Sequence, residues 1–500
     1  MNILQNILSV AKKQPEHFAI LECEANYTYH QLLDAAFQVA TKINKLPVSQ
    51  RPILIFGKNG FLSLAAMLGV SLTGHAYIPV DAHTPYARTL LINQASQPSI
   101  VITTVSLDES FSKLFDNTID FTDYEENKDF KLSQIDCKQA VSGDDINYII
   151  YTSGTTGIPK GVSVTHDNLL TFTQWMNTDF SSITHNHILS QALYSFDLSI
   201  FSLYPSLTSG GTLVSLSREE TSNFKLLFER LNSSEINTWV STPSFVEICL
   251  LDPSFTAENH QTLQQFIFCG EELPHKVAKK LLERFPQAIV WNTYGPTETT
   301  GAVTSIQVTP QLLSHYNRVP IGLAKPGVEI KIIEDEIIIT GDSVAKGYFE
   351  NPDKTAESFF ELQGKSAYRT GDSGFFDAHS VLNYNGRIDF QVKFNGFRIE
   401  LQDIEAHLLE IAEIEKALVI PQKNQQDKIT GLVAVIHSSV CFSSKAEERH
   451  FSKTIKAKLS KMIMDYMIPT KFVYLDEFPL NSNGKIDRKR VTEQIFGGDG

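Results

Sequence analysis

The chain has 500 residues, 42% of them hydrophobic and 20% charged, which is the make-up of a water-soluble globular protein and excludes disordered, fibrous and membrane-embedded classes. Its formal charge of -14 argues against nonspecific binding to nucleic acid or insertion at an anionic membrane, since both call for a basic face. Any phosphate it recognises must be gripped locally.

Reading along the chain, "MNILQNILSVAKKQPEHFAI" has apolar runs too short and too broken for a signal peptide or a spanning helix, so a cytoplasmic location is expected. Five cysteines (Cys23, Cys137, Cys249, Cys269, Cys441) show no metal-ligand spacing and are expected as free thiols. The first half alternates helical patterns with short apolar strands: "YTYHQLLDAAFQVATKIN", "RPILIFG", "FLSLAAMLGVSLTG", "AYIPVD" and "SIVIT". That rhythm predicts an α/β fold with largely parallel sheets, and it continues through "INTWVSTP", "QQFIFCGEEL" and "QAIVWNTYGPTE". Ligands of such folds sit at the carboxyl ends of the strands. From about Val319 the texture turns to short β-type runs, so a β subdomain is expected over 319–388. A boundary is placed at Asp389, followed by a small α+β domain over 389–500 with helices from about Leu401 and from Ser452 to Met464.

Five blocks carry candidate chemistry. The first, "YTSGTTGIPKG", is no Walker A loop, because its glycines are too close and a strand follows it. It bridges two strands and offers Thr152, Ser153, Thr155, Thr156 and Lys160 as phosphate donors. In the second, "NTYGPTE", Tyr294 can stack on a flat base, Gly295-Pro296 fixes a turn, and Glu298 offers a carboxylate suited to Mg2+ beside phosphates. On its own this block reads equally well as a polar turn. In the third, "YRTGDSG", Asp372 could accept from both hydroxyls of a ribose, although Gly-Asp turns are common. The fourth, "YNGRIDFQVKFNGFRIE", carries Tyr384, Arg387, Asp389, Lys393 and Arg398, and the fifth, "NSNGKIDRK", carries Lys485, otherwise an ordinary solvated turn residue.

In this order the blocks resemble those of the adenylate-forming superfamily, shared by acyl-CoA synthetases, luciferases and peptide-synthetase adenylation domains, over nearly the whole chain. The resemblance implies a large N-terminal adenylate-forming domain and a mobile C-terminal α+β lid. It also implies ATP and Mg2+: a carboxylate attacks the α-phosphate, giving acyl-AMP and pyrophosphate, and the acyl group then passes to a thiol. Lys485, Glu298 and Arg387 become the implied catalytic residues, with Glu298 the metal ligand. The nucleotide site is implied to comprise Thr152, Ser153, Thr155, Thr156, Lys160, Asn292, Thr293, Tyr294, Gly295, Pro296, Thr297, Asp372, Tyr384, Asn385, Gly386, Arg387 and Lys485. Asp389 would be the hinge, and Lys393 with "FNGF" would face the pantetheine thiol.

Finer segments, "ALYSFDLSIFSLYPSLTSGGTL", "STPSFVEICLLDPSF" and "FCGEELPHKVAKKLLERFP", resemble the branch that loads D-alanine onto a separate phosphopantetheinylated carrier protein for teichoic acid decoration. By this resemblance Asp197 meets the substrate ammonium, Cys269 narrows the pocket beside Cα, and Lys485 reaches the substrate carboxylate. Asp197 could equally be a helix N-cap. Where the family commonly carries valine, this chain has Gly301, and an enlarged pocket is expected there. The short turn in "KIIEDEIIITG", lacking the family's longer hairpin loop, is expected to be neutral. A monomer is expected. The competing expectation is a stand-alone adenylation enzyme for another small amino acid; an acyl-CoA synthetase would leave Asp197 unpaired in an apolar tunnel, and a silent nucleotide-binding scaffold would need no late lysine.

Overall fold

The computed structural model describes residues 2–154, 157–180, 186–424, 428–480 and 486–497, and the statements below concern those residues. They group into two compact units. The first comprises Met1–His83, Asn93–Tyr151 and Lys160–Ile388; the second comprises Thr84–Ile92, Thr152–Pro159 and Asp389–Gly500.

The first unit holds three sheets. Six strands form one of them, with Ile53–Gly57, Tyr77–Asp81 and Ile100–Thr103 near its centre and all these pairings parallel. Those three strands are buried along their whole length, which is why they read as unbroken apolar runs rather than as alternation. Helices Tyr29–Asn44 and Phe61–Leu72 supply part of the cover, burying Leu32, Ala36, Val39, Leu64 and Leu68 in one shared core. The first is started by Thr28, whose hydroxyl accepts from the Gln31 N–H while the Gln31 side chain returns to the Thr28 N–H.

The second sheet has nine strands. Phe18–Leu21, Thr212–Ser215, His187–Ser190, Thr238–Ser241, Gln265–Phe268 and Ile289–Tyr294 run parallel, while Asn26–Thr28 at one edge and Thr304–Val308 with Leu323–Ala324 at the other are antiparallel. The sheet is thus mixed, with its parallel part central. Phe268 lies beside Asn292 in register, so the loops that follow these two strands leave the sheet side by side. A third, antiparallel sheet of five strands runs from Val328–Ile333 to Leu382–Arg387. Its first hairpin turns on Glu334 and Asp335, both left-handed at φ 53° and 65°, the conformation a two-residue hairpin turn requires.

In the second unit, hairpin Gln391–Phe394/Phe397–Glu400 turns on Asn395-Gly396, both at positive φ. Helix Leu401–Leu409 follows, then strands Ile414–Lys423, Ile429–Ser438 and Lys471–Tyr474 in one sheet. The helix expected from Ser452 to Met464 instead spans Lys445–Leu459. Ser444 moves its start, because its side chain accepts from the Glu447 N–H and places Glu447 and Glu448 in the first turn.

Candidate functional site

The opening loop joins strand Ile146–Thr152 to strand Lys160–Thr165, as the residue pattern indicates. Gly154 is obligatory there, since a Cβ would lie 2.1 Å from the Ile158 carbonyl oxygen, and Gly157 has φ +80°. Thr155, Thr156 and the late lysine, Lys485, lie outside the described residues. Thr152 ends the incoming strand. The Ser153 hydroxyl is engaged within the second unit, donating to the Arg398 carbonyl (3.1 Å) and accepting from the Glu400 N–H (3.3 Å).

Lys160 begins its strand in the first unit, and the structure brings it to Glu298 through a residue the sequence reading passed over. Tyr348 donates to Glu298 Oε1 (2.8 Å) and accepts from Lys160 Nζ (3.2 Å); the two charged groups lie 3.9 Å apart. Glu298 is fully buried in the short 3-10 turn Thr297–Thr299. That turn is pinned by Ala345 N–H donating to the Glu298 carbonyl (2.9 Å) and by the Thr300 hydroxyl donating to the Ser343 carbonyl (2.9 Å). The sequence signal for Tyr348 was faint: an aromatic after glycine in "VAKGYFENP", itself uncharged and beside a second aromatic, Phe349.

Ile289–Tyr294 extends further than the apolar run suggests and includes Asn292 and Thr293. Both have structural bonds, Asn292 Nδ2 to the Pro320 carbonyl and Thr293 Oγ1 to the Phe268 carbonyl, each 2.8 Å. Gly295 serves close approach, because a Cβ would lie 2.6 Å from Ala302 Cα; Pro296 follows as the cap of the Glu298 turn. Tyr294 donates to Asp372 Oδ2 (2.5 Å), and Arg387 Nη1 donates to Asp372 Oδ1 (2.8 Å) and to the Thr370 carbonyl (2.8 Å). Asp372 and Arg387 are direct cross-strand partners, so sheet register alone brings them together. Burial, reinforced by Asp372, raises the Tyr294 phenol well above its ordinary value and keeps it a proton donor. Tyr384 lies near Tyr294, ring centres 6.3 Å apart, while Asn385 is exposed and Gly386 sits at φ +117° beside the irregularity in strand pairing.

Asp197 opens the 3-10 turn Asp197–Ser199 that leads into helix Ile200–Ser209; it occupies the first turn position rather than a capping position. The Tyr148 phenol is fully buried without a hydrogen-bond partner and is raised by burial first and then by the charge of Asp197. Cys269, directly after strand Gln265–Phe268, is buried with Sγ 3.7 Å from the Gly301 carbonyl oxygen. Cys269 and Gly301 therefore share one wall. The enlarged pocket expected at Gly301 is not found: a Cβ there would meet Phe201 Cε2 at 3.0 Å, Ile200 Cδ1 at 3.1 Å and Phe172 Cε2 at 3.4 Å. Aromatic and aliphatic side chains fill the volume that glycine gives up. Behind Phe172, Lys325 is buried with no hydrogen-bond partner on its ammonium, which lies 5.8 Å from the Phe172 ring centre and 5.5 Å from that of Trp175. Burial pulls that ammonium down to about 8.

The hinge candidate Asp389 is the first residue of the long segment of the second unit, with Oδ1 accepting from the Gln391 N–H (3.1 Å). Lys393 lies across the hairpin from Arg398. Among the described residues no group of three or more His, Cys, Asp or Glu side chains is arranged to hold a metal ion, and none of the five cysteines is in a disulfide. A single buried carboxylate partnered by Tyr348 and Lys160, as Glu298 is, fits Mg2+, which commonly takes one or two protein carboxylates and completes its shell with phosphates and water. No helix of the described residues is long and apolar enough to cross a membrane.

A family model described as AMP-binding enzyme matches residues 8–349. A relative from Lactococcus lactis subsp. lactis (strain IL1403), named D-alanine--D-alanyl carrier protein ligase, is 60% identical over 99% of this chain and 100% of its own length. The chain belongs to the D-alanine--D-alanyl carrier protein ligase family of AMP-binding enzymes. A ligase of the same name from Lactiplantibacillus plantarum (strain ATCC BAA-793 / NCIMB 8826 / WCFS1) is 41% identical over 99% of both chains. The ligase fold matches the adenylation domain AlmE of Vibrio cholerae, solved with glycyl-adenosine-5'-phosphate, at TM-score 0.82 and 21% identity over 99% of this chain and 97% of that one. It matches the o-succinylbenzoate CoA synthetase MenE of Bacillus subtilis equally, at TM-score 0.82 and 19% identity over 99% and 98%. The adenylate-forming α/β fold is thereby established for nearly the whole ligase chain.

Proposed function

We propose that this chain activates D-alanine with ATP, releasing pyrophosphate, and passes the alanyl group to the phosphopantetheine thiol of a separate D-alanyl carrier protein in the cytoplasm, for decoration of teichoic acid. The observation that supports the choice of a small α-amino acid is the filled wall at Gly301, where Phe172, Ile200 and Phe201 leave no open space for a Cβ, with Cys269 Sγ 3.7 Å from the Gly301 carbonyl oxygen. Asp197 supplies the carboxylate a substrate ammonium needs.

In the first half-reaction a substrate carboxylate oxygen attacks the α-phosphorus, forming the acyl phosphate bond as the bond to the departing pyrophosphate breaks. Lys160 holds the β- and γ-phosphates through its ammonium. Tyr294, Tyr384 and Asp372 position the nucleoside, the two Asp372 oxygens each keeping lone pairs beyond their bonds to Tyr294 and Arg387. Glu298 would hold Mg2+, which would supply neutralisation of the negative charge on the leaving group. Lys485 stabilises the charge developing at the α-phosphate. In the second half-reaction the carrier thiolate attacks the acyl carbonyl, a thioester forms, and AMP leaves. Turning of the segment 389–500 about Asp389 separates the two steps, with Lys393 then facing the thiol.

Pyrophosphate exchange into ATP with purified protein and Mg2+, compared across D-alanine, L-alanine, glycine, D-serine, L-proline and a short fatty acid, tests this reading. Preference for D-alanine is the expected result. Preference for a different small amino acid would keep the chemistry and reassign the carrier.

A further inference from the structure

Between Lys160 and Glu298 the Tyr348 hydroxyl is the shared group, accepting from one and donating to the other. Its backbone has no freedom to follow either partner. Phe349 N–H donates to the Gly161 carbonyl (2.7 Å), Ser163 N–H to the Gly347 carbonyl (2.9 Å), and Tyr348 N–H to Thr355 Oγ1 (3.0 Å). The ring packs edge-on against Phe359, centres 5.3 Å apart at 84°. Lys160 and Glu298 sit on flexible stems, carry opposite charges and are largely screened from water, with side-chain exposures of 16% and 0%. At 3.9 Å such a pair is drawn toward direct contact, and the attraction grows as water is excluded.

We propose that Tyr348 is a positioning residue that works as a spacer. Its hydroxyl satisfies both charged groups while keeping them from closing on one another, so that the ammonium can turn to phosphate oxygens and the carboxylate to a magnesium ion carried in with the nucleotide. This rests on the assignment of Lys160 and Glu298 given above. Removing the hydroxyl lets the pair close, and the nucleotide must then break a direct ion pair before it binds.

Tyr348→Phe keeps the ring, its packing on Phe359 and its face toward Lys160. Calorimetric titration of the full chain with α,β-methylene-ATP, repeated over a series of Mg2+ concentrations, reads binding without turnover. Hydrogen bonds to charged groups predict about tenfold weaker binding or more, with the half-saturating Mg2+ concentration rising in step. In a Glu298→Gln background the spacer has no ion pair to hold open, so adding Tyr348→Phe should change binding by less than about twofold. An undiminished effect in that background would overturn the spacer role. Unchanged binding by Tyr348→Phe, while Lys160→Ala and Glu298→Gln both weaken it, would overturn the assignment of Tyr348 alone. Unchanged binding by Lys160→Ala and Glu298→Gln would remove the site assignment itself, and the spacer with it.

Discussion

Placing valine at position 301 should damage this chain. Gly301 has φ +78°, in the left-handed region, where an L-residue costs roughly 1–2 kcal/mol and a β-branched one is strongly disfavoured. The Cβ would approach Phe201 Cε2 to 3.0 Å and Ile200 Cδ1 to 3.1 Å, tighter than ordinary van der Waals contact, before either valine methyl is placed. Overpacking of that kind costs about 1–3 kcal/mol. Gly301→Val should therefore lose roughly 2–5 kcal/mol of stability, and Gly301→Ala less, with the backbone strain but neither methyl. Urea unfolding followed by intrinsic fluorescence measures the loss, and pyrophosphate exchange with D-alanine on the same samples measures whether the wall has moved. A Gly301→Val protein with unchanged stability and a sharper preference for D-alanine would refute this reasoning. It would show that Phe172, Ile200 and Phe201 yield readily and that the glycine does widen the pocket.

Three other outcomes are expected. Lys325 titrates near 8 in the folded chain against 10.5 for an ordinary lysine, so the native state binds fewer protons than the unfolded one between those values and stability should rise as pH climbs through that window. Lys325→Met should remove a penalty on the order of 3 kcal/mol at pH 7 that shrinks toward pH 10; urea unfolding at several pH values reads the difference, and a gap that does not vary with pH would exclude ionisation as its source. Asp372→Asn removes the buried carboxylate that Arg387 and Tyr294 share, so the KM for ATP should rise and stability should fall by about 3–5 kcal/mol; an unaltered KM for ATP would free Asp372 from a nucleotide role. Lys485→Ala should abolish pyrophosphate exchange while sparing transfer from preformed alanyl-AMP to the carrier, and equal loss of both half-reactions would defeat the two-position mechanism.

Local pattern carried most of the architecture. Ile53–Gly57 and Tyr77–Asp81 read as continuous apolar runs because both faces are covered, and Tyr29–Asn44 reads as a helical pattern whose start the structure shows capped by Thr28 and Gln31. The antiparallel edges of the large sheet were not legible, since which strands neighbour Ile289–Tyr294 depends on contacts between distant segments. The same limit applies to the site. Asp372 and Glu298 stood out as carboxylates in glycine-containing turns, but their partners come from cross-strand register and, for Glu298, from Tyr348, 50 residues downstream. Gly301 was misjudged for a related reason: a sequence shows that a side chain is missing but not which neighbours fill the gap.

The charged residues of the first unit share a property that bears on catalysis. Asp372 is met by Arg387 and Tyr294, and Glu298 by Tyr348 with Lys160 nearby, so neither buried carboxylate stands as an uncompensated charge before nucleotide arrives. Binding then exchanges one set of charge-assisted hydrogen bonds for another instead of creating buried charge afresh, and the desolvation cost has already been met during folding. Arg387 is fixed opposite Asp372 by strand register, and the segment carrying Tyr348 is fixed by backbone bonds to Gly161 and Ser163, so the fold itself holds both compensating groups in place. On a chain of net charge -14, which repels a polyphosphate at long range, such local compensation lowers the repulsion that Asp372 and Glu298 would themselves add.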